Sequence, residues 1–478
     1  MGFEAGAVSR GRARIVVDTG PPWAYLVIKM LRVIFNNVVG PSRQPGQAAL
    51  SGAVCAALLL PFLALAPAAK ARPTKRGWEL GLSGYGDLHF AWHDHEPNQN
   101  RPGGARKDSR LTFDTARFVL ELEGHAPHGF EFEAELEIEH RGVGAAMELE
   151  FEEFGEFEQE IELGGEVVLE ELYLAKAFGP LELKLGRFYV GVGLMAEITR
   201  PTRHLASVRP ESETTVLPGV WDEVGLAAEL ELGCVELTAQ VISGLDSTGF
   251  SSQGWISTGH QTRFELVSAS DLAFVLRADW TPLDGLLLGA SAYYGQTSRN
   301  RPKPDLVPEC PEGDDAEVAP CGYVQGSVVL LSAHFRLDLA PVFAQGTLLW
   351  GHLENADAIS ERNARLSNNL DVLRSPIADE AFLAWFELGV DLGPSLGLTD
   401  MHLTPFFRFD YYDTMFTTAE SVFDNPRFAR AVYTAGLAWR LEELVFAKLD
   451  LAHRDLGGFD ASGLRDETSV RLAAGFTF

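Results

Sequence analysis

From about residue 77 to the C-terminus, stretches of alternating apolar and polar side chains are joined by connections that are short and long in turn. Sixteen such stretches read as strands: 77–93, 110–123, 129–140, 166–178, 181–190, 221–231, 235–244, 271–281, 286–297, 323–338, 341–352, 379–392, 400–412, 429–440, 443–454 and 468–478. The short connections are His125–His128, Gly179-Pro180, Gly233-Cys234, Pro282–Gly285, Ala340, Gly393–Thr399 and Leu441-Glu442. Between them fall the long, polar segments 94–109, 141–165, 191–220, 245–270, 298–322, 353–378, 413–428 and 455–467. A soluble sandwich has no reason to keep tight turns on one rim and long loops on the other, whereas a membrane barrel has. The expected fold is all-β: an antiparallel transmembrane β-barrel of about 16 strands, with 14 or 18 the next-best counts, short periplasmic turns and long extracellular loops.

Individual strands carry the same message. In the last twelve residues, Val470, Leu472, Ala474, Phe476 and Phe478 share one face, and Ser469, Arg471, Ala473, Gly475 and Thr477 the other. One face suits lipid and the other water. In 323–338, Val329, Leu331, Ala333, Phe335 and Leu337 oppose Ser332, His334, Arg336 and Asp338. Trp280, Trp350, Trp385, Trp439 and Tyr411 lie near strand ends, where interface girdles form. Mean hydropathy is 0.00, as expected when only alternate residues meet lipid. Ending on an aromatic carboxylate, the closing strand resembles that of bacterial outer-membrane barrels.

Residues 48–71, AALSGAVCAALLLPFLALAPAAKA, follow Arg43 and end in an A-x-A pattern, so a secretory signal peptide with cleavage near Ala71 is expected. Pro61 and Pro67 interrupt the apolar run and argue against an anchor helix, and Cys55 stands too early for lipidation. Residues 1–29 have no place in such a leader and read as an over-extended start, with Met30 one candidate for the true one. The division is thus 1–71 for N-terminus and leader, and 72–478 for one barrel.

The whole chain carries −28; beyond residue 71, 32 basic face 65 acidic residues, a balance of −33. Binding to nucleic acid through its phosphates is excluded. Inside the barrel a base recurs two residues before an acid, as Arg277/Asp279, Arg336/Asp338, Arg408/Asp410 and Lys448/Asp450. Positions i and i+2 share a strand face, so these pairs would line the lumen, either as a charged pore wall with a transverse field or as mutual neutralisation. In both cases a polar lumen is expected. Glu131, Glu133, Glu135, Glu137 and Glu139 share the face opposite Phe132, Ala134, Leu136 and Ile138, and a lumen-facing glutamate row argues against pure anion selectivity.

Residues 186–193, Gly-Arg-Phe-Tyr-Val-Gly-Val-Gly after a Gly-Pro turn, resemble the Gly-Gln-Phe-Lys-Val-Pro-Phe-Gly stretch of the phosphate-selective porin family. Tyr189, Gly191 and Val192 depart from it, at the lysine, proline and aromatic positions. The resemblance implies a sixteen-stranded homotrimeric porin for small hydrophilic solutes or ions, anions such as phosphate among them. In porins as a class the third long loop folds into the barrel and sets the constriction. Here that loop is 191–220, with Arg200, Arg203, His204 and Arg209 ahead of Glu211 and Glu213. Rings of Arg select anions and rings of Glu cations, so its basic half gives an anion-leaning filter; as an ordinary surface loop it would filter nothing.

Eleven Glu and no basic residue lie between Glu148 and Glu171, and 148–163 alternates well enough to form a hairpin above the membrane. It reads as a solvated acidic loop, bridged to surface lipopolysaccharide by divalent ions, or as a cation attractor. His89, His93 and His95 share a face near a strand end, but no further ligand pattern supports a metal site, and no cofactor is assigned. Cys310 and Cys321 bracket a long loop, where a disulfide would contribute roughly 3 kcal/mol through chain entropy; Cys234 is left over. Neither Gly-x-Ser-x-Gly nor His-Glu-x-x-His occurs, so no enzyme is expected. A surface adhesin or structural barrel is the main alternative, and an outer-membrane hydrolase a lesser one.

Overall fold

The computed structural model describes residues 79–97, 107–140, 148–149, 159–160, 167–261, 267–300, 324–364, 375–458 and 466–478. The leader and its cleavage site, Cys310 and Cys321 lie outside the described residues. The first half of the barrel comprises β1 (Glu79–Pro97), β2 (Lys107–Ala126), β3 (Phe130–Glu139), β6 (Val167–Phe178), β7 (Leu181–Tyr189), β8 (Asp222–Leu232), β9 (Val235–Ser243) and β10 (Leu272–Leu283). The second half comprises β11 (Leu286–Gln296), β12 (Ser327–Leu339), β13 (Val342–Leu353), β14 (Glu380–Val390), β15 (Met401–Thr417), β16 (Ala429–Leu441), β17 (Val445–Leu456) and β18 (Glu467–Thr477). These sixteen form one closed antiparallel barrel in chain order. The short β4 (Glu148–Leu149) and β5 (Gln159–Glu160) pair with each other in a two-stranded sheet apart from the barrel sheet.

Closure depends on the C-terminus. Tyr85 faces Thr477, and the pairing runs in register from there to Asp94 opposite Thr468. Beyond the strand proper, Phe478 N–H donates to Gly84 O (3.0 Å) and Gly84 N–H to Phe478 O (3.1 Å). A barrel closed in this way presents no open sheet edge, the condition under which strands cross lipid. The tight turns need residues that accept a positive φ. Gly179 (φ 72°) and Gly233 (φ 69°) supply it at two-residue connections.

The alternation translates directly into faces. Val470, Leu472, Phe476 and Phe478 point outward and are exposed, as are Leu276, Leu331, Leu348, Leu437, Leu449 and Leu451 on other strands. With this apolar outer band on a closed barrel, short turns on one rim and long connections on the other, the protein is a barrel of the bacterial outer membrane. β1, β2 and β15 run longer than expected from alternation, ending at Pro97, beginning at Lys107 and ending at Thr417. Their extra residues lie toward the extracellular rim, where no lipid enforces alternation. One aromatic departs from the girdle expectation: Trp385 points inward from the middle of β14 and is 3% exposed.

Replacing Leu331 by Arg would place a charge on the lipid face near the middle of β12. The variant should lose about 2–4 kcal/mol in reversible unfolding from lipid vesicles, whereas Ala333→Ser, on the same face, should lose far less.

Candidate functional site: a loop seated in the lumen

Loop 191–220 leaves β7 and folds into the barrel. Gly191 N–H donates to Gln240 Oε1 (3.0 Å), and Gly193 N–H to Ser332 Oγ (3.2 Å). Gly193 has φ +64°, and a Cβ there would sit 3.0 Å from Glu213 Oε1, so both conformation and space call for glycine. Short 3₁₀ turns follow at Met195–Ile198 and Pro201–Arg203, then helix α1 (Glu211–Val216).

An irregular segment inside a barrel has no ladder to satisfy its backbone, so its amides and carbonyls need partners from the wall. Charged side chains supply them. Arg117 Nη1 donates to Thr199 O (3.0 Å), Arg277 Nη1 to Gly193 O (2.9 Å) and Arg408 Nη1 to Val208 O (2.7 Å). Lys448 Nζ donates to the carbonyls of His204 (2.7 Å), Ala206 (3.0 Å) and Pro201. In the opposite sense, Glu387 accepts from Leu205 N–H (2.8 Å) and Ala206 N–H (3.2 Å), and Asp450 from Ser207 N–H (2.6 Å). Asp410 accepts from Ser212 Oγ (2.9 Å). Tyr412 donates to Glu211, which also pairs with Arg454 (2.8 Å).

This seating accounts for the inward base/acid pairs. Arg277 and Asp279 do form an ion pair (2.7 Å), and so do Arg408 and Asp410 (3.0 Å). Lys448 turns to the loop instead, and Asp450 pairs with Arg471 (2.7 Å). No ion pair joins Arg336 to Asp338 among the described residues; Asp338 is exposed at the periplasmic rim, and Arg336 Nε donates to Gln345 (3.2 Å). Arg408, Lys448 and Asp450 are nearly inaccessible to water.

The interior is less polar than expected. Leu194, Ile198, Val216 and Leu217 of the loop form one buried cluster with Phe250, Trp255 and Ile256 of the next long connection. The inner faces contribute Val275, Tyr293, Val328, Leu330, Leu349, Leu383 and Trp385. Each such side chain contributes roughly 1.5–3 kcal/mol on burial, so seating is driven by apolar contact and oriented by the charged anchors. Trp255 also donates through Nε1 to Ala378 O (3.0 Å) and covers Gly351, where any Cβ would overlap its ring.

Glu133, Glu135 and Glu137 face inward from β3. Glu137 pairs with Arg117, and Glu133 accepts from Tyr173. Glu121, on β2, takes Arg200 from the loop. Toward the periplasmic end the β2–β9 wall carries water-accessible Glu123, Glu229, Glu231 and Glu236, with Lys184 bonded to Glu229 (2.8 Å). Of the four basic positions on the loop, Arg203 is exposed and Arg200 keeps 40% of its side chain in water. His204 is buried against Ala206 O (2.8 Å), and Arg209 donates to Gly219 O (2.6 Å). His93 and His95 stack with ring centroids 5.6 Å apart, and His89 bonds to Asp87 (2.9 Å). No metal-binding group of three ligands occurs among the described residues.

Arg117, Glu121 and Glu387 are wall anchors that sequence reasoning overlooked. Glu387 had a usable signal: it shares a face with Leu383 and Trp385, and a lone carboxylate on such a buried stripe implies a partner.

No protein-family profile matches the chain. An uncharacterized protein of Aquifex aeolicus is 28% identical over 237 residues, 49% of this chain and 48% of that protein, so the chain spans about half the length of the curated relative it matches. Among solved structures, the outer membrane channel DcaP of Acinetobacter baumannii is similar at 13% identity, covering 86% of this chain and 100% of that one, with a TM-score of 0.46. Salmonella typhi OmpF in complex with daunomycin is similar at 12% identity, 84% and 97% coverage and a TM-score of 0.47. Vibrio cholerae OmpT in trimer form is similar at 8%, 84% and 100%, with a TM-score of 0.45.

Glu387→Ala would strip two loop amides of their acceptor. At about 1.5–3 kcal/mol for each hydrogen bond to a charged group, loop 191–220 should become susceptible to added protease while the barrel keeps its heat-modifiable migration on gels.

Proposed function

We propose that the protein is an outer-membrane porin through which small hydrophilic solutes diffuse passively, with a lean toward small anions at the level of loop 191–220. The observation that carries this reading is the pair Arg203 and Arg336. Arg203 is exposed and has no ion pair among the described residues, and Arg336 lies within its electrostatic reach. Arg336 Nη2 is buried with no hydrogen-bond partner. Elsewhere in the lumen most cations are spent on acids or on loop carbonyls, so Arg203 remains to meet a passing anion, and Arg336 adds to its field although Glu197 and Asp338 offset part of it. Water-accessible Glu123, Glu229, Glu231 and Glu236 on β2, β8 and β9 face the same interior and give the passage an uneven field. Assembly as a homotrimer and contact with lipopolysaccharide belong to the same reading.

Purified protein in a planar bilayer should give discrete conductance steps, and under a salt gradient the reversal potential should have the sign of anion preference. Arg203→Ala should move that potential toward zero. A cation-directed potential would transfer selectivity to the glutamate wall, and folded protein without steps would overturn the channel reading altogether.

A further inference from the structure

We infer that Glu213 makes the seating of loop 191–220 depend on proton concentration, so that the loop loosens from the wall as the medium passes from acid to neutral. Glu213 lies on α1 with 0% of its surface exposed, and neither carboxylate oxygen has a hydrogen-bond partner among the described residues. The groups turned toward it are the Thr347 hydroxyl on β13, the Trp385 indole N–H on β14 and the Leu194 amide. Thr347 Oγ1 and Trp385 Nε1 are themselves buried without a bonded partner. An ionised carboxylate in such a place has neutral donors near it and no cation of its own, an expensive arrangement in an apolar interior.

The charged groups around α1 do not change this. Glu197, on the same loop, is another acid and opposes the charge on Glu213. Glu211 is taken by Arg454. On β14, Glu387 is bonded to the amides of Leu205 and Ala206, and on β15 Arg408 is paired with Asp410. Past the turn at Ser257–Gly259, His260 is bonded to Asp222 O (2.7 Å).

Two carboxyls two residues apart therefore behave oppositely. Burial works against the charge of Glu211 too, but Arg454 outweighs it and holds that group at about 2. Burial without a cation pushes Glu213 up to about 7. A released loop would expose Glu213 and return it to the ordinary 4.5. Because the seated state binds the proton more tightly, seating is strongest below pH 4.5, weakens between 4.5 and 7, and is constant above. The whole change corresponds to roughly 300-fold in the seating equilibrium.

The seating claim stands apart from the channel reading, while its consequence for permeation rests on it. Hydrogen exchange of residues 205–217 in the folded full-length barrel, corrected for intrinsic rates, should show protection falling by up to that factor from pH 4.5 to 8. Glu213→Gln should abolish the fall, and Thr347→Val, which removes a donor, should move its midpoint to higher pH. Flat protection in the wild type, or an unchanged fall in Glu213→Gln, would overturn the inference. If Glu213→Gln does not fold, an unmoved midpoint in Thr347→Val would overturn it instead. In bilayers, conductance should rise over the same interval in the wild type and not in Glu213→Gln. Exchange that follows the expectation in protein that never conducts would leave the seating intact and remove the channel reading.

Discussion

A polypeptide segment without regular structure can lie inside a barrel only if its backbone amides and carbonyls find partners there. Everything distinctive about this interior follows from that requirement. Strand cations cover the carbonyls of loop 191–220, with Lys448 alone reaching three of them, and strand carboxylates take its amides. Each anchor is weak in isolation, since a hydrogen bond to a charged group contributes only about 1.5–3 kcal/mol. Distributed over β2, β10, β14, β15 and β17, they fix the loop at many points and leave it few ways to shift by small amounts.

The same requirement divides the lumen. The loop and the connection carrying Trp255 pack into a continuous apolar cluster against inner faces from β7 to β17, while Glu123, Glu229, Glu231 and Glu236 on β2, β8 and β9 stay open to water. A barrel wall has only one inward residue in two, so positions given to loop packing are withdrawn from contact with solutes.

Much of the architecture was legible in the sequence because a strand in a membrane barrel is a local object. The period-two pattern and the turn residues report on one strand and its immediate neighbour, so all sixteen strands and their lipid faces emerge from them. Trp385 shows where that locality fails. An isolated Trp in such a strand invites a place in the girdle, yet its position in the middle of β14 and its parity with Leu383 and Glu387 turn it inward to meet the loop. Likewise Val328 and Leu330 read as ordinary apolar strand residues, and only the loop folded beneath them explains why they are acceptable on an inner face. The base/acid pairs were visible as a pattern, but their use as loop anchors depended on partners up to 247 residues away in sequence.

Charge identity in the interior is therefore a poor guide to charge function. Arg408 and Arg203 carry the same side chain, yet one is enclosed between Asp410 and a loop carbonyl while the other is exposed to water. What separates them is that Arg408 has a loop carbonyl and a carboxylate to satisfy. A buried guanidinium with a carbonyl and a carboxylate to satisfy has little potential left to offer a solute, and one that finds neither keeps it. Glu211 and Glu213 repeat the contrast among the acids, the first matched to Arg454 and the second left with neutral donors. Among the described residues, Arg203 and Glu213 are charges that seating of the loop did not consume.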